Sequence, residues 1–236
     1  MGTAPAAPWG RSPRGRTVTA VMADRRDLAE LVDPAHTALV TQECQVGVIG
    51  EAAVLHDLAD AARVCAVPRI SMLAAAARLA GVPVVHCLAV RRSDDLGSNH
   101  NARLFSATRK LGIRIEPGSP EAEVLPEIGV EPNDLVLTRY HGLGPMGGTD
   151  LNAVLRNLGV TTIVGVGVSL NVAIPNFVMD AVNHGFDFVL PRDAVAGVPA
   201  DYANAIIEHT LSLLATVVDS GSVVETWETA ARARFH

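Results

Sequence analysis

The stretch from Thr161 to Ala181, TTIVGVGVSLNVAIPNFVMDA, constrains this chain more than any other. Ile163 to Val168 is an unbroken apolar run rich in β-branched residues, the pattern of a parallel strand buried on both faces. A helix follows, with Val172 or Ala173 as its first residue. Asn171 is placed to cap it by accepting a backbone N–H. Pro175 falls in the first turn, where a missing N–H costs little. A buried strand therefore stops, turns sharply and gives way to a helix whose free N–H groups face the strand's carboxyl end. Ligands of open α/β sheets bind at such ends, and a helix N-terminus favours an anion or a developing oxyanion.

The rest of the chain repeats this alternation. Asp24 to Leu31 reads as a short helix and Thr37 to Thr41 as a strand that ends in Gln42-Glu43-Cys44-Gln45. Pro68 opens a helix that Gly81 stops. Val82 to Val90 is a second buried strand, with His86 and Cys87 as satisfied core residues. Residues 91–132 form a long, mostly irregular excursion that includes Arg91, Arg92 and Arg103, of a length usual for a functional lid. Asp134 to Tyr140 is a third strand. The glycine-rich segment after it, His141 to Thr149, lacks the GK[ST] ending of a phosphate loop. Thr149 caps a helix over Asp150 to Leu158. Phe186 to Leu190 is a further strand, Tyr202 to Val217 an amphipathic helix and Val223 to Thr226 a last short strand. Alternating strands and helices imply an α/β fold with a parallel sheet covered on both faces.

Composition narrows the classes of partner. Apolar residues make up 49% of 236 and charged residues 19%, as in a globular domain rather than a disordered chain. A net charge of −6 argues against nucleic acid. The three cysteines, Cys44, Cys65 and Cys87, form no CxxC pair, so neither a disulfide framework nor a zinc site is read from them, and a reducing cytoplasm is the expected setting. Residues 1–22 are expected to be a flexible arm without the apolar core of a secretory leader, and residues 23–236 a single domain. No apolar run approaches the roughly 18 residues of a membrane span. No cofactor or metal is implied. The expected partners are a small-molecule substrate or ligand and further copies of the chain.

Three segments together resemble the isochorismatase-like hydrolases, the superfamily of nicotinamidases and N-carbamoylsarcosine amidases. Ala38 to Gln45, ALVTQECQ, is similar to the family's ALLVIDMQ. Val136 to Leu151, VLTRYHGLGPMGGTDL, is similar to its lysine-bearing strand and GT[DE]L helix start. Gly167 to Ala181, GVSLNVAIPNFVMDA, is similar to GVATDVCVLATARDA, and Arg192-Asp193-Ala194 follows in the expected place. The resemblance covers residues 36–218. It implies a three-layer α/β/α sandwich with a six-stranded, mainly parallel, Rossmann-like sheet, a cis peptide between Val168 and Ser169, and a homo-oligomer.

The family's usual catalytic set is Asp, Lys and a nucleophilic Cys. Here Glu43, Arg139 and Ala173 stand at those positions. A methyl group attacks nothing, which closes the thioester route at Ala173. Glu carries its carboxylate about one bond, ~1.5 Å, further than Asp, and Arg does not shuttle protons as a buried Lys does. The two charges nevertheless persist. Ser169, Asn171 and Val172 after the central strand, Tyr140 and His141 after the third strand, and Arg103 in the excursion are the candidate oxyanion and substrate-binding residues. Three functions fit: a hydrolase without a cysteine nucleophile that uses Glu43 as general acid or base; a non-catalytic family member used for small-molecule binding or protein interaction; and a cysteine amidase whose nucleophile has been replaced by Ala173.

Overall fold

The computed structural model describes residues 27–51 and 53–234, so the arm expected over residues 1–22 lies outside it. In chain order the elements are α1 (Leu28–Leu31), β1 (Thr37–Gln42), α2 (Val46–Ile49), α3 (His56–Ala61), α4 (Val67–Ala80), β2 (Val84–Ala89), α5 (Arg103–Lys110), β3 (Leu135–Arg139), α6 (Pro145–Gly148), α7 (Leu151–Asn157), β4 (Thr162–Val168), α8 (Ala173–Asn183), β5 (Asp187–Pro191), β6 (Val195–Ala196), α9 (Ala200–His209), β7 (Thr216–Val218) and α10 (Ser220–Arg234). A π-helical turn, Ala62–Ala66, joins α3 to α4.

The sheet runs β3-β2-β1-β4-β5-β7, with β6 paired to the end of β4 and every pairing parallel. Alternation along each strand divides the core into two layers. Leu39, Val164 and Val166 face α4 and α10, where they meet Ile70, Leu73 and Trp227. Ala38, Val40 and Ile163 face the other way, against Leu151, Leu155, Ile174 and Phe177 of α7 and α8. The central strands β1 and β4 are buried along their whole length, as their continuous apolar runs require. The three-layer α/β sandwich is the expected one.

Four sequence expectations need correction. The sheet has seven strands instead of six. Tyr202 to Val217 is not one helix: α9 ends at His209, a 3-10 turn spans Leu211–Leu213, and Thr216–Val218 forms the edge strand β7. Val223 to Thr226 is not a strand but part of α10, because Val223, Trp227 and Ala231 recur every four residues and all bury against α4. The excursion is also less irregular than expected, since it contains the two-turn helix α5 and a 3-10 turn, Pro120–Ala122.

Candidate functional site

The carboxyl ends of β1, β3 and β4 converge on one cavity of about 650 Å³. Glu43 leaves β1 with a left-handed backbone, φ +54°, a conformation uncommon outside glycine. Its N–H donates to Cys87 O on β2 at 2.9 Å, which turns the side chain toward the cavity rather than along the strand. Arg139 is the last residue of β3. Its guanidinium passes the end of β2 and donates through Nη2 to Glu43 Oε1. Only 4% of the Arg139 side chain and 18% of the Glu43 side chain are exposed. Gly148 makes room for this reach, since an added Cβ would stand 2.7 Å from Arg139 Cδ. Gly167, at φ +113°, makes room on the other side: any Cβ there would collide with the Gln42 carbonyl at the end of β1.

Ala173 is the first residue of α8, and its methyl group lines the same cavity. Among the described residues its N–H has no acceptor, whereas that of Ile174 is taken by Ser169 O. The Val168–Ser169 peptide is cis, as the resemblance implies. Asn171 does not cap α8. Val172 occupies the cap position, and the Asn171 amide instead grips Val198 through both its N–H, at 3.0 Å, and its carbonyl. That grip draws the β6–α9 loop up to the cavity, where Val198 forms part of the wall.

The excursion closes over this floor. It leaves β2 at Arg91 and returns at Ile115, where Arg91 N–H donates to Ile115 O at 2.8 Å. Asn99 ties it to the β3–α6 loop by accepting the Gly142 N–H at 2.7 Å. Leu104, Phe105 and Thr108 of α5 form the near wall, and Val48, Leu55 and Ile115 continue it. The cavity thus has apolar sides and a polar floor, the usual form of a small-molecule site.

The family model described as Isochorismatase domain matches residues 37–222. This chain belongs to the isochorismatase family. It is 30% identical over 189 residues to the uncharacterized isochorismatase family protein YecD of Escherichia coli, covering 77% of this chain and 90% of that one. A cysteine hydrolase from Pseudomonas syringae pv. phaseolicola superposes with a TM-score of 0.73 at 22% identity, covering 85% and 96% of the two chains. N-carbamoylsarcosine amidase from Thermoplasma acidophilum superposes at 0.62 and 24% identity, covering 78% and 96%. These two likenesses show that the chain shares its fold with those proteins.

In this isochorismatase-family chain, Glu43, Arg139, Tyr140, His141, Ser169, Asn171, Val172 and Ala173 all line the cavity. Arg103 does not. It lies on the outer stripe of α5 with Ser106 and Lys110, over a separate shallow depression, because one helical step turns it away from Leu104 and Phe105. Arg91, noted with Arg92 and Arg103 among the basic residues of the excursion, does line the cavity, and so does Ser98, which was passed over because its residue type is ordinary and only the fold of the excursion turns it inward. The cysteines stand apart. Burial pushes the Cys44 and Cys87 thiols up to about 12, and Cys65 is exposed on the outer surface. His86 is a satisfied core residue, with Nδ1 2.8 Å from Thr41 Oγ1 and Nε2 3.3 Å from Asp134 Oδ2. Asp193, of the Arg192-Asp193-Ala194 motif, accepts from the backbone N–H and hydroxyl of Ser220 at 2.8 and 2.7 Å and so anchors the start of α10.

Proposed function

We propose that this chain hydrolyses a small molecule with water as nucleophile and Glu43 as general base. The observation that carries the reading is the convergence of an ion-paired carboxylate, a buried guanidinium and a free helix N–H on one apolar-walled cavity. A methyl group at Ala173 leaves the attacking atom to come from solvent. In the first step the water O–H breaks, its proton passes to Glu43, and its oxygen bonds to the electrophilic carbon. The displaced electron pair settles on the substrate oxygen, where the Ala173 N–H and the remaining N–H groups of Arg139 are donors of the right sign. On collapse the leaving group departs with the proton held by Glu43. Pairing with Arg139 suits a carboxylate that accepts a proton first, which favours the base over the acid of the two roles open to Glu43.

The test is turnover across a panel of small amides and esters, with Glu43→Gln beside the wild type. We expect hydrolysis of at least one class and a loss of roughly 10²–10⁴-fold in kcat/KM for Glu43→Gln. Panel members that bind to the cavity but are never turned over would instead identify a binding protein and end this reading.

A further inference from the structure

Each guanidinium that lines the cavity among the described residues already has a carboxylate of its own. Arg139 pairs with Glu43, and Arg91 Nε donates to Asp95 Oδ1 at 2.5 Å. Asp57 adds a further carboxylate to the lining. Histidines aside, and counting Asp95, two cations thus stand against three carboxylates. An acidic ligand would meet no cation in excess here. It would have to displace Glu43 or Asp95, or lie against apolar wall, where an unpaired carboxylate is costly.

The wall is short of acceptors rather than of cations. Arg139 Nη1, Arg91 Nη2 and Ser98 Oγ are buried and lack a partner. Each can donate, and a buried donor left unpaired costs stability. The oxygen of an ester or amide satisfies such a donor without bringing a charge.

The apolar surface is larger than a small acyl group needs. Val54 and Leu55, between α2 and α3, and Leu104 of α5 line the cavity and are yet 43% exposed, so they stand at its mouth. Val48, Phe105 and Ile115 continue the same surface inward. Exposed apolar side chains gathered at one opening mark a binding surface. At about 650 Å³ the cavity is of a size that takes drug-sized ligands rather than the smallest amides.

We propose that the substrate is a neutral ester or amide with an extended apolar body, and that free acids are rejected. The carbonyl lies on the floor beside Arg139 and Ala173, and the body runs out to the mouth at Leu55 and Leu104. The inference deepens the proposed hydrolysis and rests on it only for the cavity being the substrate site.

Inert methyl ketones bound to the full chain test the idea without turnover: a straight-chain series from hexan-2-one to nonan-2-one, with octanoate as the near-isosteric anion of the longest member. Calorimetry on the wild type at neutral pH should show affinity rising about three- to fourfold with each added methylene. Octanoate should bind more weakly than nonan-2-one by roughly tenfold or more. Leu55→Ser and Leu104→Ser should each cost nonan-2-one several-fold and hexan-2-one little, because only the longer chain reaches the mouth. An affinity that stays flat along the series, octanoate bound as tightly as nonan-2-one, no measurable binding of nonan-2-one at millimolar concentration, or full nonan-2-one affinity in the double variant would overturn the proposal. A rising series in a chain that hydrolyses nothing would sink the catalytic reading and leave this one standing. Hydrolysis of short, polar amides together with a flat series would do the reverse.

Discussion

Ala173 poses the sharpest question at the scale of single residues. A thiol placed there would sit at the first residue of α8, where helix N–H groups favour the thiolate. Yet Ala173→Cys alone is expected to give poor amidase activity, because Arg139 holds the Glu43 carboxylate that would have to move the proton. The triple change Glu43→Asp, Arg139→Lys, Ala173→Cys should exceed the sum of the single effects, since groups that act as a unit are not additive. Ammonia release over a panel of small amides measures this. Turnover on the order of 10 per second from the single change would mean that the other two substitutions do not matter. The native cysteines should be silent: iodoacetamide is expected to modify Cys65 alone, because Cys44 and Cys87 are buried with thiols raised to about 12, and no cysteine lines the cavity. Mass spectrometry of the alkylated native chain, with activity or probe binding measured in parallel, checks both statements. Residue identity made Glu43, Arg139 and Ala173 legible in the sequence, because each follows a strand. The left-handed turn at Glu43 and the inward face of Arg91 were not legible, because they depend on backbone geometry and on a loop's path.

At the scale of elements, a polar tie joins three neighbouring strands, of which β1 and β3 carry the site. Thr41 on β1 bonds His86 on β2, His86 meets Asp134 just ahead of β3, and Arg78 of α4 pairs with Asp134 at 2.6 Å. His86 is pulled below its ordinary value of 6.5, chiefly by burial and against the opposing attraction of Asp134. The folded state therefore holds it neutral, while the unfolded chain takes up a proton once pH drops below about 6.5. Stability from this site is complete above that pH and is lost as pH falls below it, at no more than about 1.4 kcal/mol per pH unit for one proton. Asp134 has the usual carboxylate sign. Burial opposes its ionisation, but Arg78, the Glu131 N–H and His86 outweigh that and lower it, so its contribution is lost only below its ordinary 3.8. Urea midpoints at pH 7.5 and 5.5 should diverge for the wild type, and His86→Gln should flatten the difference. An unchanged slope in His86→Gln would remove His86 as its source. Element types were legible wherever apolar runs were long, as in β1, β2 and β4. They failed at α10, where a local β-branched run concealed the four-residue period of Val223, Ala231 and, between them, Trp227. That side chain is fully buried and donates from Nε1 to Val32 O at 2.9 Å. Trp227→Ala should therefore cost about 3–5 kcal/mol by chemical denaturation.

For the whole molecule, the exposed edge of the sheet is the feature to explain. β3 lies at one end of the strand order, and its outer N–H and C=O groups have no strand beside them among the described residues. Leu135 and Val136 are 37% and 45% exposed, and as successive strand residues they present apolar surface on both faces. Monomeric proteins commonly protect such an edge with charge, proline or a bulge. Within Leu135–Arg139 the one charged side chain, Arg139, is turned inward to Glu43. No helix among the described residues is long and apolar enough to cross a membrane. The expected outcome is a homodimer with β3 edges facing, and light scattering at micromolar concentration should give about twice the 24.7 kDa of one chain. Val136→Lys places a charge on the edge and should shift the mass toward a single chain without altering the fold. A single-chain mass for the wild type would refute association, and a dimer that survives Val136→Lys would move the contact to another face. Because β3 also supplies Arg139, edge pairing would steady the strand that holds Glu43. The Val136→Lys chain should then bind cavity ligands more weakly, in proportion to the loss of dimer, although Val136 itself lies outside the cavity wall.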